Sequence, residues 1–178
     1  MELTVLRHPR VSAQGLCYGR CDVALAEGHA AQTAALVKTL PAPRVLVTSP
    51  AERCRVVADA LARRHGVDPR IEPALQELNF GDWEGVPWDQ IDRRDSDHWA
   101  EDPVTRAPPR GESFQQLSTR VLACVAALDG HATLVTHAGP IRALRMAAEG
   151  LSFEAAFAAP VPYTTPIHLR LDATALGV

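Results

Sequence analysis

The chain has 178 residues, 47% hydrophobic and 22% charged, an ordinary globular composition with enough length for one large core. A net charge of -3 and a pI near 6.1 speak against a nucleic-acid partner, which calls for a basic face, but leave room for a small anionic substrate held by a local arginine cluster. Nothing at the amino terminus resembles a signal peptide and no apolar run is long enough to span a bilayer, so no membrane contact and a cytoplasmic location are expected.

Leu3 to Leu6 reads as a short buried strand, with Arg7 and His8 where it ends. Pro9, Gly15 and Gly19 mark an irregular loop after it. Leu25 to Leu40 reads as a helix, stopped by Pro41 and Pro43. Val45 to Thr48 is apolar on consecutive residues, the pattern of a strand buried on both faces. Ser49 then suits an N-cap and Pro50 the first helical position, giving a helix to about His65 with Gly66 at its end.

A short strand near Arg70 to Glu72 leads into PALQELNFGDWEGVPW, the least regular stretch. Residues 86–112, rich in charge and proline, read as an inserted, partly helical excursion. Phe114, Leu117, Val121, Val125 and Leu128 recur at helical spacing, and Gly130 ends that helix. Thr133 to Thr136 is the fourth strand. Gly139-Pro140 begins a helix that runs to about Glu149, and Gly150 stops it. Ser152 opens a short helical turn, and Ile167 to Leu171 alternates like an edge strand. The alternation of strands and helices argues one α/β domain over residues 1–178 with a largely parallel sheet.

Open parallel sheets bind ligands beyond the carboxyl ends of their strands. There the order of elements brings His8 and Arg7 from the first strand, Arg53 from the helix after the second, and His137 from the end of the fourth. Guanidinium forks suit phosphate oxygens, and a neutral imidazole suits attack on phosphorus. A second imidazole, kept protonated, would stabilise the transition state. His29, His65, His98, His131 and His168 lack such a setting and are assigned to the surface. Cys17, Cys21, Cys54 and Cys124 are read as plain thiols, because the C-x3-C pair has no second pair to complete a metal site.

The pieces LTVLRH, YGRCDVAL, VTSPAERC, LQELNFGDWEG, GESF and LVTHAGPIR, in this order from Leu3 to about Arg142, resemble the histidine phosphatase superfamily. That resemblance implies a phosphoglycerate-mutase-like fold of three layers, a mostly parallel sheet flanked by helices. YGRCDVAL and Leu75 to Gly85 are most similar to the alpha-ribazole phosphatase branch of cobalamin biosynthesis. The resemblance further implies that His8 is the nucleophile and becomes a phosphohistidine. Arg7, Arg53 and His137 are implied to hold the phosphoryl oxygens, and Glu77 to give the leaving oxygen its proton. No cofactor and no metal are implied. Pro9 replaces the family's usual glycine, Val11 a serine or threonine, and Gln14 an asparagine; Gln14 is taken as a further phosphate ligand and Ser12 as the replacement hydroxyl.

The function expected is thus a metal-independent phosphomonoesterase on a small molecule. A phosphoglycerate-type mutase is the alternative, with Arg20, Arg93, Arg94 and Arg110 as extra basic residues diluted by nearby acids. Pro9 and Val11 motivate a third reading, a non-catalytic phosphate-binding protein. Residues 86–112 are expected to cover the pocket. Trp83 and Trp88 either stack on a substrate base or pack the excursion on the core. Oligomeric state is not legible.

Overall fold

The computed structural model describes residues 1–172, so the last six residues of the expected domain lie outside the described residues. A five-stranded sheet has the order β3-β2-β4-β1-β5. Its strands are β1 (Glu2–Arg7), β2 (Leu46–Thr48), β3 (Arg70–Ile71), β4 (Ala132–Thr136) and β5 (Pro166–Arg170). The first four run parallel, and β5 closes one edge antiparallel to β1. The helices are α1 (His29–Thr39), α2 (Glu52–His65), α3 (Arg93–Glu101), α4 (Phe114–Ala126), α5 (Ala138–Glu149) and α6 (Phe153–Ala158).

Strand alternation sorts the apolar side chains into two layers. Leu3, Val5, Val47 and Leu134 face one side and pack with Leu117, Val121, Ile141 and Leu144 of α4 and α5. Leu6, Leu46 and Val135 face the other and meet Leu36 and Val37 of α1 and Val57 and Leu61 of α2. The three-layer α/β architecture follows, as expected.

Two local expectations change. The first helix begins at His29, not Leu25, because Gly28 takes a left-handed conformation (φ 80°) and Leu25 pairs instead with Val11 in an isolated bridge. At the start of α2 the N-cap is Ala51, and the Ser49 hydroxyl turns to His137. Gly66 and Gly150 are left-handed C-caps, as expected, and Ser113 forms a capping box with Gln116. Among the described residues no helix is long and apolar enough to cross a membrane.

Candidate active site

Register explains why two residues far apart in sequence become neighbours. Arg7 on β1 lies opposite Thr136 on β4, so the next residues, His8 and His137, leave the sheet side by side. The His8 N–H prolongs the ladder to the Thr136 carbonyl (3.1 Å), and the Ser49 N–H does the same to Val135 (2.9 Å) on the β2 side. The two imidazoles meet edge to face with centroids 5.1 Å apart.

His8 is 2% exposed, and its Nδ1 lies 2.7 Å from the Pro9 carbonyl. A carbonyl only accepts, so Nδ1 carries the proton and Nε2 keeps a free lone pair. Pro9 lacks an N–H but supplies this carbonyl, so the orienting contact survives the substitution. Burial pushes the His8 pKa down to about 3, with Arg53 and Arg7 adding to the effect against the Pro9 hydrogen bond. The ring is therefore neutral near pH 7.

His137 is fully buried. Arg53 Nε, which only donates, lies 3.3 Å from its Nδ1, so the neutral ring carries its proton on Nε2 and gives it to Ser49 Oγ at 2.8 Å. Burial first, then the charge of Arg53, holds its pKa well below the usual value. This corrects the expectation of a protonated second imidazole: an enclosed ring beside a guanidinium stays neutral. Arg53, 1% exposed, also donates to the carbonyls of Cys21 (3.0 Å) and Gly19. Arg53 and His137 thus lie beneath His8 rather than on an open surface.

Arg7 donates to the Val161 carbonyl (2.8 Å) and to the Tyr163 hydroxyl (2.9 Å), and its guanidinium carbon lies 3.7 Å from the Tyr163 ring centroid. Glu77 accepts from the Gly139 N–H (3.0 Å) in the first turn of α5 and from its neighbour Leu78 (3.1 Å). Helix amino termini carry unpaired N–H groups, which fix a carboxylate there.

Arg7, His8 and Glu77 open together onto a cavity of about 390 Å³. Its other walls are largely aromatic: Phe80, Trp88 and Trp99 on one side, Phe114, Phe153 and Phe157 on the other. Residues 86–112 do form part of this wall, through Trp88 and Trp99. Trp83 is buried with Cys17 and Ile91, while Trp88 is 40% exposed at the cavity. A larger cavity of about 690 Å³ lies at the opposite end of the sheet and holds none of the expected site residues.

The fold thus brings together His8, Arg7, Arg53, His137 and Glu77. It leaves out Gln14, which is exposed and lines no part of the cavity because the loop after Pro9 turns away to bridge Val11 with Leu25. Ser12 bonds the Ala24 carbonyl instead of replacing a phosphate ligand. Arg20 and Arg110 face Glu112 and Asp82, and Arg93 faces Asp97. The remaining five histidines stay away from the cavity. The four cysteines are free thiols, and burial raises Cys17 to about 12. Ser49, Tyr163 and Arg142 escaped the sequence reading, since each is defined by a contact between distant segments.

A neutral imidazole of fixed tautomer beside guanidinium groups, at the strand ends of an α/β sheet, defines a phosphoryl-handling site. Residues 3–176 match the family model of the histidine phosphatase superfamily (branch 1), and the chain belongs to that superfamily. It is 31% identical over 157 residues to the adenosylcobalamin/alpha-ribazole phosphatase of Salmonella typhimurium, covering 81% of this chain and 77% of that one. It is also 31% identical over 165 residues to glucosyl-3-phosphoglycerate phosphatase of Mycobacterium tuberculosis, covering 82% and 74%. The alpha-ribazole phosphatase structure from Shigella flexneri superposes with a TM-score of 0.87 at 25% identity, over 97% of this chain and 92% of the other. With these relatives, the chain is a phosphoric monoester hydrolase.

Proposed function

We propose that the chain hydrolyses its phosphomonoester without a metal, through a phosphohistidine on His8. The observation that carries this is the tautomer: Nδ1 held by Pro9 at 2.7 Å leaves Nε2 unprotonated, on a ring that burial keeps neutral. Nε2 attacks phosphorus while the ester P–O bond breaks, and Glu77 gives its proton to the departing oxygen. Water then attacks the phosphohistidine, passes a proton to Glu77, and inorganic phosphate leaves with His8 restored. Arg7 faces the phosphoryl oxygens, while Arg53 and His137 supply charge and dipole from beneath.

Alpha-ribazole 5'-phosphate is the substrate we favour. The aromatic walls of the cavity suit a planar, apolar base, and the relatives of that name support it. Residues 86–112 act in this reading as the specificity wall of a single domain. Mutase chemistry has less support, because Arg20, Arg93 and Arg110 are each engaged by a carboxylate away from the cavity.

The test is phosphate release from a panel holding alpha-ribazole 5'-phosphate, sugar phosphates and phosphoglycerates, with His8→Ala alongside. The mechanism expects loss of turnover in the variant and an acid-labile, alkali-stable phosphoryl adduct on the wild type. Undiminished turnover by His8→Ala would rule it out.

A further inference from the structure

Among the described residues, Arg142 is the one charged side chain lining the cavity that the reaction above leaves unused. It follows Gly139 by three positions on α5, so both face the same way, and Gly139 carries Glu77. Arg142 therefore stands on the side of the proton donor, where the leaving group must lie. Its guanidinium carbon lies 4.5 Å from the Phe157 ring centroid, which fixes the fork against one aromatic wall.

Its hydrogen bonding is incomplete. Among the described residues the Arg142 side chain makes no ion pair and no hydrogen bond, and its buried Nε has no partner. Neighbouring arginines are handled differently: Arg145 grips Glu149 and Arg120 grips Glu112. Glu77 is close enough for its charge to be felt at Arg142, but not for an ion pair. A partly desolvated guanidinium without acceptors is unfavourable unless something else supplies them.

Resting on the phosphatase reading, we propose that Arg142 is the specificity residue of the leaving group. It donates to an acceptor carried by the alcohol half of the substrate, while the aromatic walls take that half's planar body. The substrate class is then a phosphomonoester whose leaving group is both aromatic and acceptor-bearing. Neither a plain aryl phosphate nor a small aliphatic acid phosphate meets both demands.

The experiment compares wild type, Arg142→Ala and Arg142→Lys on phenyl phosphate and on its 3- and 4-carboxyphenyl analogues, which add an acceptor to the same body. Alpha-ribazole 5'-phosphate is the fourth substrate. The expected result is that wild type prefers at least one carboxyphenyl ester over phenyl phosphate. Arg142→Ala should lose about 10- to 100-fold in kcat/KM on the acceptor-bearing esters, mostly through KM. Its loss on phenyl phosphate should stay within about threefold, and Arg142→Lys should recover part of the preference. Equal losses on all esters would overturn the assignment in favour of an effect through Glu77. So would the absence of any carboxyl preference in wild type. Activity on phenyl phosphate also separates the two questions: if His8→Ala retains it, the mechanism has failed, whatever Arg142 does.

Discussion

The carboxylate of Glu77 rests directly on the backbone of Gly139, so closely that a Cβ added there would overlap Oε1 and also press Leu117 Cδ1 at 3.1 Å. Glycine makes room for this contact through its missing Cβ and not through its φ, which is not among the positive ones. Gly139→Ala should push the carboxylate off the first turn of α5 and cost about 100-fold in kcat on an alkyl phosphate, the scale of a misplaced catalytic group. An ester of a good leaving group, such as 4-nitrophenyl phosphate, needs less protonation and should lose much less. Equal losses on both esters would mean that Glu77 is not the proton donor.

The two central imidazoles also tie stability to pH. Folded His8 titrates at about 3 and folded His137 well below its usual value, both chiefly through burial, while in the unfolded chain each takes its proton near 6.5. Below about pH 6.5 the unfolded state therefore binds protons that the folded state refuses, and stability falls as pH drops toward the folded values. Urea midpoints measured from pH 8 to pH 4.5 should decline on the acid side. His8→Asn should decline less steeply, because one of the two groups is gone. Parallel slopes would show that His8 is not held neutral by the fold.

Much of this site was legible because parallel strands buried on both faces announce themselves as apolar runs, and their polar ends follow directly. That logic placed Arg7-His8 and Thr136-His137 at one sheet edge, and register then made them neighbours. Where sequence reasoning failed, a distant contact overrode a local signal. Ser49 has the chemistry of an N-cap, yet its oxygen faces His137. Leu25 fits a helical period, yet Gly28 and the bridge to Val11 hold it outside α1. The expectation for Gln14 rests on its distance along the chain from His8, a measure that says nothing of which way a loop turns. The charge of His137 depended on full burial and on the direction of Arg53 Nε, neither of which a strand pattern encodes.

Ser49 offers a direct test of the hydrogen bond that anchors the His137 ring. Its hydroxyl is fully buried, takes the Nε2 proton at 2.8 Å and lies 3.4 Å from the Ala51 N–H. Removing it leaves a buried imidazole N–H without a good acceptor, since Cys54 Sγ at 3.5 Å is a weak one. Ser49→Ala should destabilise the protein by roughly 1–3 kcal/mol. Ser49→Thr keeps the oxygen and should separate this loss from a simple packing defect. A Ser49→Ala protein with unchanged urea midpoint would show that the Ser49–His137 hydrogen bond does not contribute to stability.

Arg53 itself is positioned by a loop that one carboxylate, that of Glu84, gathers. The Glu84 carboxylate accepts from four backbone N–H groups, those of Gly19 (2.9 Å), Arg20 (2.9 Å), Cys21 (3.1 Å) and Phe80 (3.0 Å). Burial alone would raise its pKa, but these donors outweigh it and hold the group below the usual carboxylate range. The loop gathered in this way presents the carbonyls of Gly19 and Cys21 that Arg53 grips. Gly19 is also packed against the Leu78 carbonyl so tightly that no Cβ fits. Glu84→Gln keeps the shape but turns one acceptor oxygen into a donor facing other donors, and should cost roughly 2–3 kcal/mol near pH 7. Because the folded pKa is depressed, the carboxylate stabilises fully above the unfolded value near 4.5 and loses that contribution as pH falls through the folded one. The gap in urea midpoint between wild type and variant should therefore be widest above about pH 5 and narrow below about pH 4.5. Turnover should fall as well, since Arg53 holds His137 under the nucleophile. A gap that stayed constant with pH would assign Glu84 a role in packing alone.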